Sequence, residues 1–243
     1  MKAEGRRMLE SKMKMKRVRV MDRGSMGYGE AFKLQMELVK EEKDTLLLLE
    51  HPPVITLGRS SLAGNLLITR DELANRGFEI FETNRGGDIT YHGPGQLVGY
   101  PILRLRGCRR DLHRLVRDYE EVVIRTLEHF GIGGSRIQGL SGVWVKDKKI
   151  AAMGVGVKNW TTFHGFSLNV DVDLTPFSYI VPCGIRDRGI TSMRVLLGEG
   201  VDMVRVKKQV AQSFAEVFNV HLQFPGGNIF GKGCDAHEPS SLD

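Results

Sequence analysis

The feature that most constrains the fold is a long amphipathic segment from Asp111 to Phe130. Its apolar residues recur with the 3.6-residue period of a helix, Asp111 can cap the start, and Gly131 can close the end. Three segments with glycine-rich boundaries follow and favour strands, the first two joined by a turn at Asp147-Lys148. These strand segments are 142–146, 149–157 and 162–172. The order predicts an α/β fold of the α+β type, with helices packed on a mixed, largely antiparallel sheet.

The remaining segments complete a single domain, which a chain of 243 residues is long enough to form. The alternation in 17–21 is typical of an edge strand, and the continuous apolar run 45–50 is typical of a strand buried on both faces. The other predicted strands are 54–58, 78–83 and 220–224, and the other predicted helices are 29–43, 71–76 and about 203–218. We expect residues 1–16 to be a disordered basic arm, 17–224 to be the catalytic domain, and 225–243 to be a disordered tail.

The charge distribution argues against a nucleic-acid partner. The chain carries a formal net charge of +6, but residues 1–19 hold eight basic and two acidic groups and so account for all of it. The three cysteines contain no paired spacing, which favours free thiols in a reducing compartment. No secretory signal and no membrane span is expected. The predicted localisation is cytoplasmic, and the basic arm leaves a mitochondrial presequence as the alternative.

Three segments have residues suited to chemistry, and each also has an ordinary structural interpretation. The segment 85–96 has four glycines beside Arg85 and His92, which suits close approach of a ligand or a simple surface loop. The glycines in 149–157 indicate either a ligand against the backbone or a bulge. Cys183 lies between Pro182 and Gly184 on a constrained loop, although a lone cysteine is more often a small buried apolar residue. No zinc spacing or dinucleotide motif is present, so neither a metal nor a cofactor is predicted.

Taken together and in order, these segments resemble the lipoyl(octanoyl) transferases. The matching residues span about 51–195. They are His51-x-Pro53-Val54-x-Thr56-x-Gly58-Arg59, RGGDITYHGPGQLVGYP at 85–101, Gly142-Val-Trp144, Lys149-Ile-Ala-Ala-Met-Gly154, His164-Gly-Phe-Ser-Leu-Asn169, Pro182-Cys183-Gly184-Ile185 and Thr191-Ser192. The resemblance implies a fold like that of the biotin and lipoate protein ligases. Ser167 stands where alanine is more usual in this family, and both residues are small.

The resemblance also implies the site residues. Cys183 would be the nucleophile that carries the acyl group as a thioester, and Lys149 would lower the pKa of the thiol and act as acid and base. The implied substrate-binding residues are Arg85, Gly86, Gly87, Asp88, Ile89, Thr90, Tyr91, His92, Ala152, Met153, Gly154, Gly165, Phe166 and Ser167, with His164 as a further candidate.

The implied reaction moves an octanoyl group from acyl carrier protein to a lysine of an acceptor protein. The implied acceptors are the lipoyl domains of 2-oxoacid dehydrogenase complexes and the glycine cleavage H protein. A free thiol has a pKa of ~8.5, and an ammonium nearby would make thiolate a large fraction at neutral pH. One alternative is an ATP-dependent lipoate or biotin ligase, which needs no nucleophilic cysteine. The other is a lipoyl-domain-binding module without catalysis.

Overall fold

A computed structural model describes residues 15–107, 110–182 and 188–225. Eight strands of these ranges form one large sheet and three form a small one. The large sheet contains β1 (Lys16–Ser25), β2 (Thr45–Glu50), β6 (Gln96–Ile102), β7 (Ser135–Ile137), β8 (Leu140–Val145), β9 (Lys148–Lys158), β10 (Thr161–Asn169) and β11 (Val220–Gln223). The small sheet contains β3 (Val54–Leu57), β4 (Glu79–Glu82) and β5 (Ile89–His92). The α-helices are α1 (Tyr28–Glu41), α2 (Arg70–Asn75), α3 (Leu112–His129), α4 (Met193–Leu197) and α5 (Met203–Phe218), and two 3-10 turns cover Ala63–Asn65 and Thr175–Tyr179.

The large sheet has the strand order β11-β1-β2-β6-β10-β9-β8-β7. The pairs β1–β11 and β1–β2 are parallel, and the rest of this sheet is antiparallel. The predicted fold class, a mixed and largely antiparallel sheet with helices, is therefore confirmed. The prediction that 17–21 forms an edge strand is wrong, because β11 pairs outside β1 and takes the edge. Its alternation reflects one face packed on the core and does not report a missing neighbour.

Each face of the large sheet has its own apolar cluster. Leu46 and Leu48 of β2 point into the cluster beneath α3 and α5, and Leu47 and Leu49 point into the cluster beneath α1. All four leucines are fully buried, as the continuous apolar run predicted. The face under α1 also carries the small sheet, so the space that the two sheets enclose lies on this side.

The long helix α3 forms as its sequence predicts. The carboxylate of Asp111 accepts a hydrogen bond from the backbone N–H of Arg114, and Gly131 takes the left-handed conformation (φ 74°) just past the end. The side chains Leu115, Tyr119, Val122 and Leu127 are buried against the sheet. The helix at about 203–218 and the turn between β8 and β9 are confirmed in the same way.

The interpretation of 85–96 as a surface loop is wrong. Residues 89–92 form β5 and residues 96–102 form β6, and within 85–96 only Gly87 and Pro94 are exposed. The glycines occupy the turns: Gly87 and Gly95 both have positive φ, and a Cβ on Gly95 would lie 2.4 Å from the carbonyl oxygen of Asp171. Glycine at these points lets two short buried strands follow each other closely. The predicted division into arm, domain and tail stays a prediction; β1 begins at Lys16, and 226–243 lie outside the described residues.

Candidate active site

A row of small residues opens a cavity on the face of the large sheet that carries the small sheet. On β9 and β10, Ala152 is opposite Ser167 and Gly154 is opposite Gly165. A Cβ on Gly165 would lie 2.3 Å from the carbonyl oxygen of Gly99, so only glycine fits there. The main cavity above these residues has an empty volume of about 460 Å³, which includes its open mouth. It is lined by Tyr28, Arg85, Gly87, Asp88, Thr90, His92, Val98, Tyr100, Ala152, Met153, Gly154, His164, Gly165, Phe166 and Ser167.

Most of the predicted substrate-binding residues line this cavity, and three do not. The alternation of β5 places Thr90 and His92 on the cavity side, while Ile89 and Tyr91 point into a separate apolar cluster with Phe177. Gly86 donates its backbone N–H to the carbonyl oxygen of Val155 and so joins the loop to β9. The side chains of Ile89 and Tyr91 are therefore not brought to the cavity.

The structure adds four residues that the sequence did not assign to a site. Tyr28 comes from the start of α1, and Val98 and Tyr100 come from β6. His51 lies behind them, with its Nε2 2.8 Å from the hydroxyl of Tyr100. His51, Val98 and Tyr100 fall within the matched motifs, which was the available signal. Tyr28 lies outside those motifs, and no pattern in the chain indicates its role.

The guanidinium of Arg85 is held at one wall of the cavity. Its side chain donates to the hydroxyl and to the carbonyl oxygen of Thr56, at 2.9 and 2.8 Å from Nη2, and the residue is only 8% exposed. The loop that carries it lies against the end of β3, where the N–H groups of Gly58 and Ser60 donate to carbonyls of Asp88 and Gly87. The site therefore keeps a fixed positive charge at this wall of the cavity.

Three histidines around the cavity are held neutral. Burial lowers the pKa of His51 to about 4, and burial together with nearby positive groups lowers the pKa of His92 and of His164 to about 3. His164 also has a positive φ of 58° inside β10, where its N–H donates to Oε1 of Gln35 and its Nε2 is 3.2 Å from Oδ1 of Asn84. Strained backbone of this kind is concentrated at functional sites.

Lys149 lies at the start of β9, buried to 5% exposure. Its Nζ is 4.9 Å from the centre of the Trp144 ring. A Cβ added to Gly142 would lie 3.0 Å from the Cε of Lys149, so the lysine side chain packs against this glycine. A second, smaller cavity, the lysine cavity, is lined by Thr90, Gln96, Lys149, Ala151, Ala152, Ser167, Asn169, Phe177, Pro182 and Ile190. Thr90, Ala152 and Ser167 line both cavities, so the two adjoin.

The other predicted catalytic residue, Cys183, lies outside the described residues. The chain on each side of 183–187 borders Lys149. Pro182 lines the lysine cavity, the N–H of Lys149 donates to the carbonyl oxygen of Gly189, and the N–H of Thr191 donates to the carbonyl oxygen of Lys149. Main-chain pairing therefore brings the residues that follow 183–187 beside Lys149.

Two features are absent from the described ranges. No group of three or more His, Cys, Asp or Glu side chains there is placed to hold a metal ion. No helix in the same ranges has both the length and the apolar character to cross a membrane.

The fold of the described residues is that of the lipoate and biotin protein ligases, as the sequence resemblance implied. A bi-partite lipoate protein ligase from Thermoplasma acidophilum has a TM-score of 0.68 at 17% identity, covering 86% of each chain. A lipoate-protein ligase A bound with ATP gives 0.67 at 17% identity, covering 86% of this chain and 88% of that one. Biotin protein ligase from Aquifex aeolicus gives 0.51 at 16% identity, covering 83% and 70%. At such low sequence identities, the structural similarity establishes the fold alone.

The family follows from sequence comparison. The family model described as lipoyl protein ligase A/B catalytic domain matches residues 27–215, and the chain belongs to that family. Octanoyltransferases from Solibacter usitatus and Caldicellulosiruptor saccharolyticus are each 47% identical, covering 85% and 81% of this chain and 94% and 87% of theirs. The octanoyltransferase of Myxococcus xanthus is 50% identical over 72% of this chain. The matched part spans about half of that relative's length. The predicted family and enzyme class are confirmed.

Proposed function

We propose that this chain transfers an octanoyl group from acyl carrier protein to a lysine amine of a lipoyl domain, through a thioester on Cys183. The observation that carries the proposal is the adjoining of two cavities, one suited to an acyl chain and one containing Lys149. The relatives at 43–50% identity are named octanoyltransferases, and the Thermoplasma ligase is described together with its E2 lipoyl domain. The proposed acceptors are the lipoyl domains of 2-oxoacid dehydrogenase complexes and the glycine cleavage H protein.

The main cavity suits a medium acyl chain. Its floor of Ala152, Gly154 and Gly165 leaves room above the sheet, and Val98 supplies apolar wall. Burying an acyl methylene is worth about 0.8 kcal/mol, so a seven-carbon tail gains enough to orient the donor. The thioester end would then lie toward Thr90 and Ser167, which the main cavity shares with the lysine cavity.

Cys183 is supported as the nucleophile by its neighbour in the chain. Pro182 lines the lysine cavity, and the residues after the 183–187 segment pair with Lys149 through the backbone. An ammonium close to a thiol favours the thiolate, which is the reactive form. One described neighbour of the Lys149 ammonium is the face of the Trp144 ring, whose centre is 4.9 Å from Nζ.

The reaction has two balanced steps. The Cys183 thiolate attacks the donor carbonyl, a new C–S bond forms, and the carrier leaves as a thiolate that takes up a proton. The acceptor amine then attacks the Cys183 thioester, the C–N bond forms, and the C–S bond breaks with its electron pair on sulfur. Lys149, left neutral after its ammonium protonates the departing carrier thiolate, takes the proton that the amine loses and so restores the ammonium beside the Cys183 thiolate. A thioester is already activated toward amines, so the proposed transfer requires no ATP.

Intact-mass measurement tests the proposal. Octanoyl-acyl carrier protein without ATP should add one octanoyl group to the wild-type chain, and a lipoyl domain should remove it with formation of the amide. Cys183→Ala should abolish the acyl adduct, whereas Cys108→Ala should retain it. Acylation that needs free octanoate and ATP would indicate a ligase, and binding of lipoyl domain without any acyl transfer would indicate a non-catalytic module.

A further inference from the structure

Gln96 connects the two cavities. Its Oε1 lies 2.6 Å from Nδ1 of His92, and its Nε2 donates to Oδ1 of Asn169 at 2.8 Å and to the carbonyl oxygen of Tyr91 at 3.3 Å. His92 lines the main cavity, and Gln96 and Asn169 line the lysine cavity. The hydrogen bond from His92 to Gln96 therefore lies at the junction of the two.

These contacts fix the orientation of the amide and the tautomer of the imidazole. The amide nitrogen of Gln96 must face Asn169 and Tyr91, because both offer oxygen acceptors there. Its carbonyl oxygen then faces His92 and can only accept, so Nδ1 of His92 carries the proton. Nε2 is left as a lone pair, and no hydrogen bond to it is made by the described residues.

The network continues to the strand of Lys149. The amide nitrogen of Asn169 donates to the carbonyl oxygen of Thr191 at 3.0 Å, and the N–H of Thr191 donates to the carbonyl oxygen of Lys149 at 2.9 Å. One of these buried hydrogen bonds, between Gln96 and Asn169, joins residues 73 positions apart in the chain. A satisfied network of this kind rigidifies its members.

We propose that Gln96 is a positioning residue that keeps His92 in the Nδ1–H tautomer, so that Nε2 accepts a hydrogen bond from the attacking amine of the acceptor protein. The inference rests on the proposed function. The acyl chain has no hydrogen-bond donor, whereas the amine does, and a buried acceptor without a donor is costly. A neutral acceptor also leaves the nitrogen lone pair of the amine free to attack.

The surroundings of His92 keep it neutral. Burial is the main cause, and the charged guanidinium of Arg85, on the loop before β5, also opposes protonation of the imidazole. His51, just after β2, and His164 of β10 face His92 as well, and a positive charge on either would oppose its protonation further. A histidine with a pKa near its ordinary value would be partly cationic below pH 7 and would donate from both nitrogens. The environment therefore preserves the acceptor across the physiological range.

The first test is spectroscopic and independent of activity. In the full-length protein with ¹⁵N-labelled histidine, two-bond ¹H–¹⁵N correlation should show His92 protonated at Nδ1. Gln96→Met, which is similar in size, should lose this preference, while His51, held between Met26 and Tyr100, should keep its own signals. An Nε2–H tautomer of His92 in the wild type would overturn the inference.

The second test separates the two half-reactions. With octanoyl-acyl carrier protein, Gln96→Met should form the thioester within about twofold of the wild-type rate, and transfer to a lipoyl domain should fall by roughly tenfold, the effect of one lost hydrogen bond. Compared with Gln96→Met, Gln96→Glu should restore the Nδ1–H tautomer of His92 and part of the transfer rate at high pH. As the pH is lowered, the transfer rate of Gln96→Glu should begin to fall at a higher pH than that of the wild type. Gln209→Met on α5 is the matched control and should change neither step.

The outcomes distinguish the two proposals. Equal loss of both half-reactions in Gln96→Met would indicate general damage to the site and overturn the positioning role. Transfer at the wild-type rate in both Gln96 variants would overturn it as well. A wild-type chain that forms no thioester would overturn the proposed function itself, and the tautomer measurement would still report on the hydrogen bond.

Discussion

Single residues at this site are fixed by their contacts more than by their type. Gly165 is required because a Cβ would meet the backbone of Gly99, whereas Gly64 would admit a Cβ with nothing within 4 Å. The same distinction applies to the histidines, which are neutral because they are buried and not because of any local motif. The sequence names these residues, and the surrounding chain gives each its role.

At this scale we predict that Lys149 tunes the thiol of Cys183. Lys149→Ala should move the pKa of that thiol back toward ~8.5, because the positive charge that favours thiolate is removed. Lys149→Arg should keep part of the thiolate but not the transfer step, since a guanidinium cannot take a proton. The measurement is the pH dependence of iodoacetamide alkylation at Cys183, followed by peptide mass.

The neighbouring lysine supplies the control. Lys148 is exposed at the start of the same strand, and Lys148→Ala should leave the alkylation profile unchanged. Cys108 and Cys234 should react more slowly near pH 7. A profile that is the same for wild type and Lys149→Ala would remove Lys149 as the activator.

At the scale of elements, Glu120 joins helix α3 to the strand that borders Lys149. Its fully buried carboxylate accepts from the N–H of Gly142 at 2.9 Å and pairs with Arg117 and Arg136 at 2.9 and 3.1 Å. Gly142 in turn lies against the Lys149 side chain. The helix therefore supports β8 at the point where a positive φ of 124° bends it.

We expect Glu120→Ala to lower the free energy of unfolding by about 2 kcal/mol. The change leaves a buried N–H without its acceptor, and the two partly exposed arginines limit the electrostatic part of the loss. Urea denaturation at pH 7 measures this change in the free energy of unfolding. Glu128→Ala, an exposed position on the same helix, should change stability by under about 0.5 kcal/mol. Similar values for the two variants would contradict the supporting role.

At the scale of the whole molecule, the buried histidines make stability depend on pH. The folded-state pKa values of His51, His92 and His164, about 4, 3 and 3, lie below the ordinary value of 6.5. Between the folded-state pKa values and 6.5, the unfolded chain therefore binds more protons than the folded chain. Stability falls as the pH is lowered below 6.5. The contribution is fully present above 6.5 and is lost progressively toward pH 3.

Each histidine should remove about 2 kcal/mol of stability between pH 7 and pH 5, because one pKa unit corresponds to ~1.4 kcal/mol. The urea midpoint should fall steeply over this range, since domains have only about 5–15 kcal/mol in total. His164→Gln should flatten the dependence, and His113→Gln at an exposed position should not. A wild-type midpoint that is constant from pH 7 to 5 would show that these imidazoles are protonated in the folded state.

The sequence by itself determined the parts that depend on local pattern. The 3.6-residue period gave α3 and α5, the leucine run gave β2, and the ordered motifs identified the family and most of the residues that line the main cavity. It did not indicate that Gly87 and Gly95 lie on either side of a buried strand, β5, because a glycine-rich turn looks the same at the surface and inside.

Only the tertiary structure decided which side chains meet. Strand alternation turned Ile89 and Tyr91 away from the cavity, the start of α1 brought Tyr28 to it, and pairing across the sheet placed Gln96 beside Asn169. Parallel pairing outside β1 made it an interior strand. Contacts of this kind depend on strand order and register, which pair residues far apart in the chain and leave no periodic signal in the sequence.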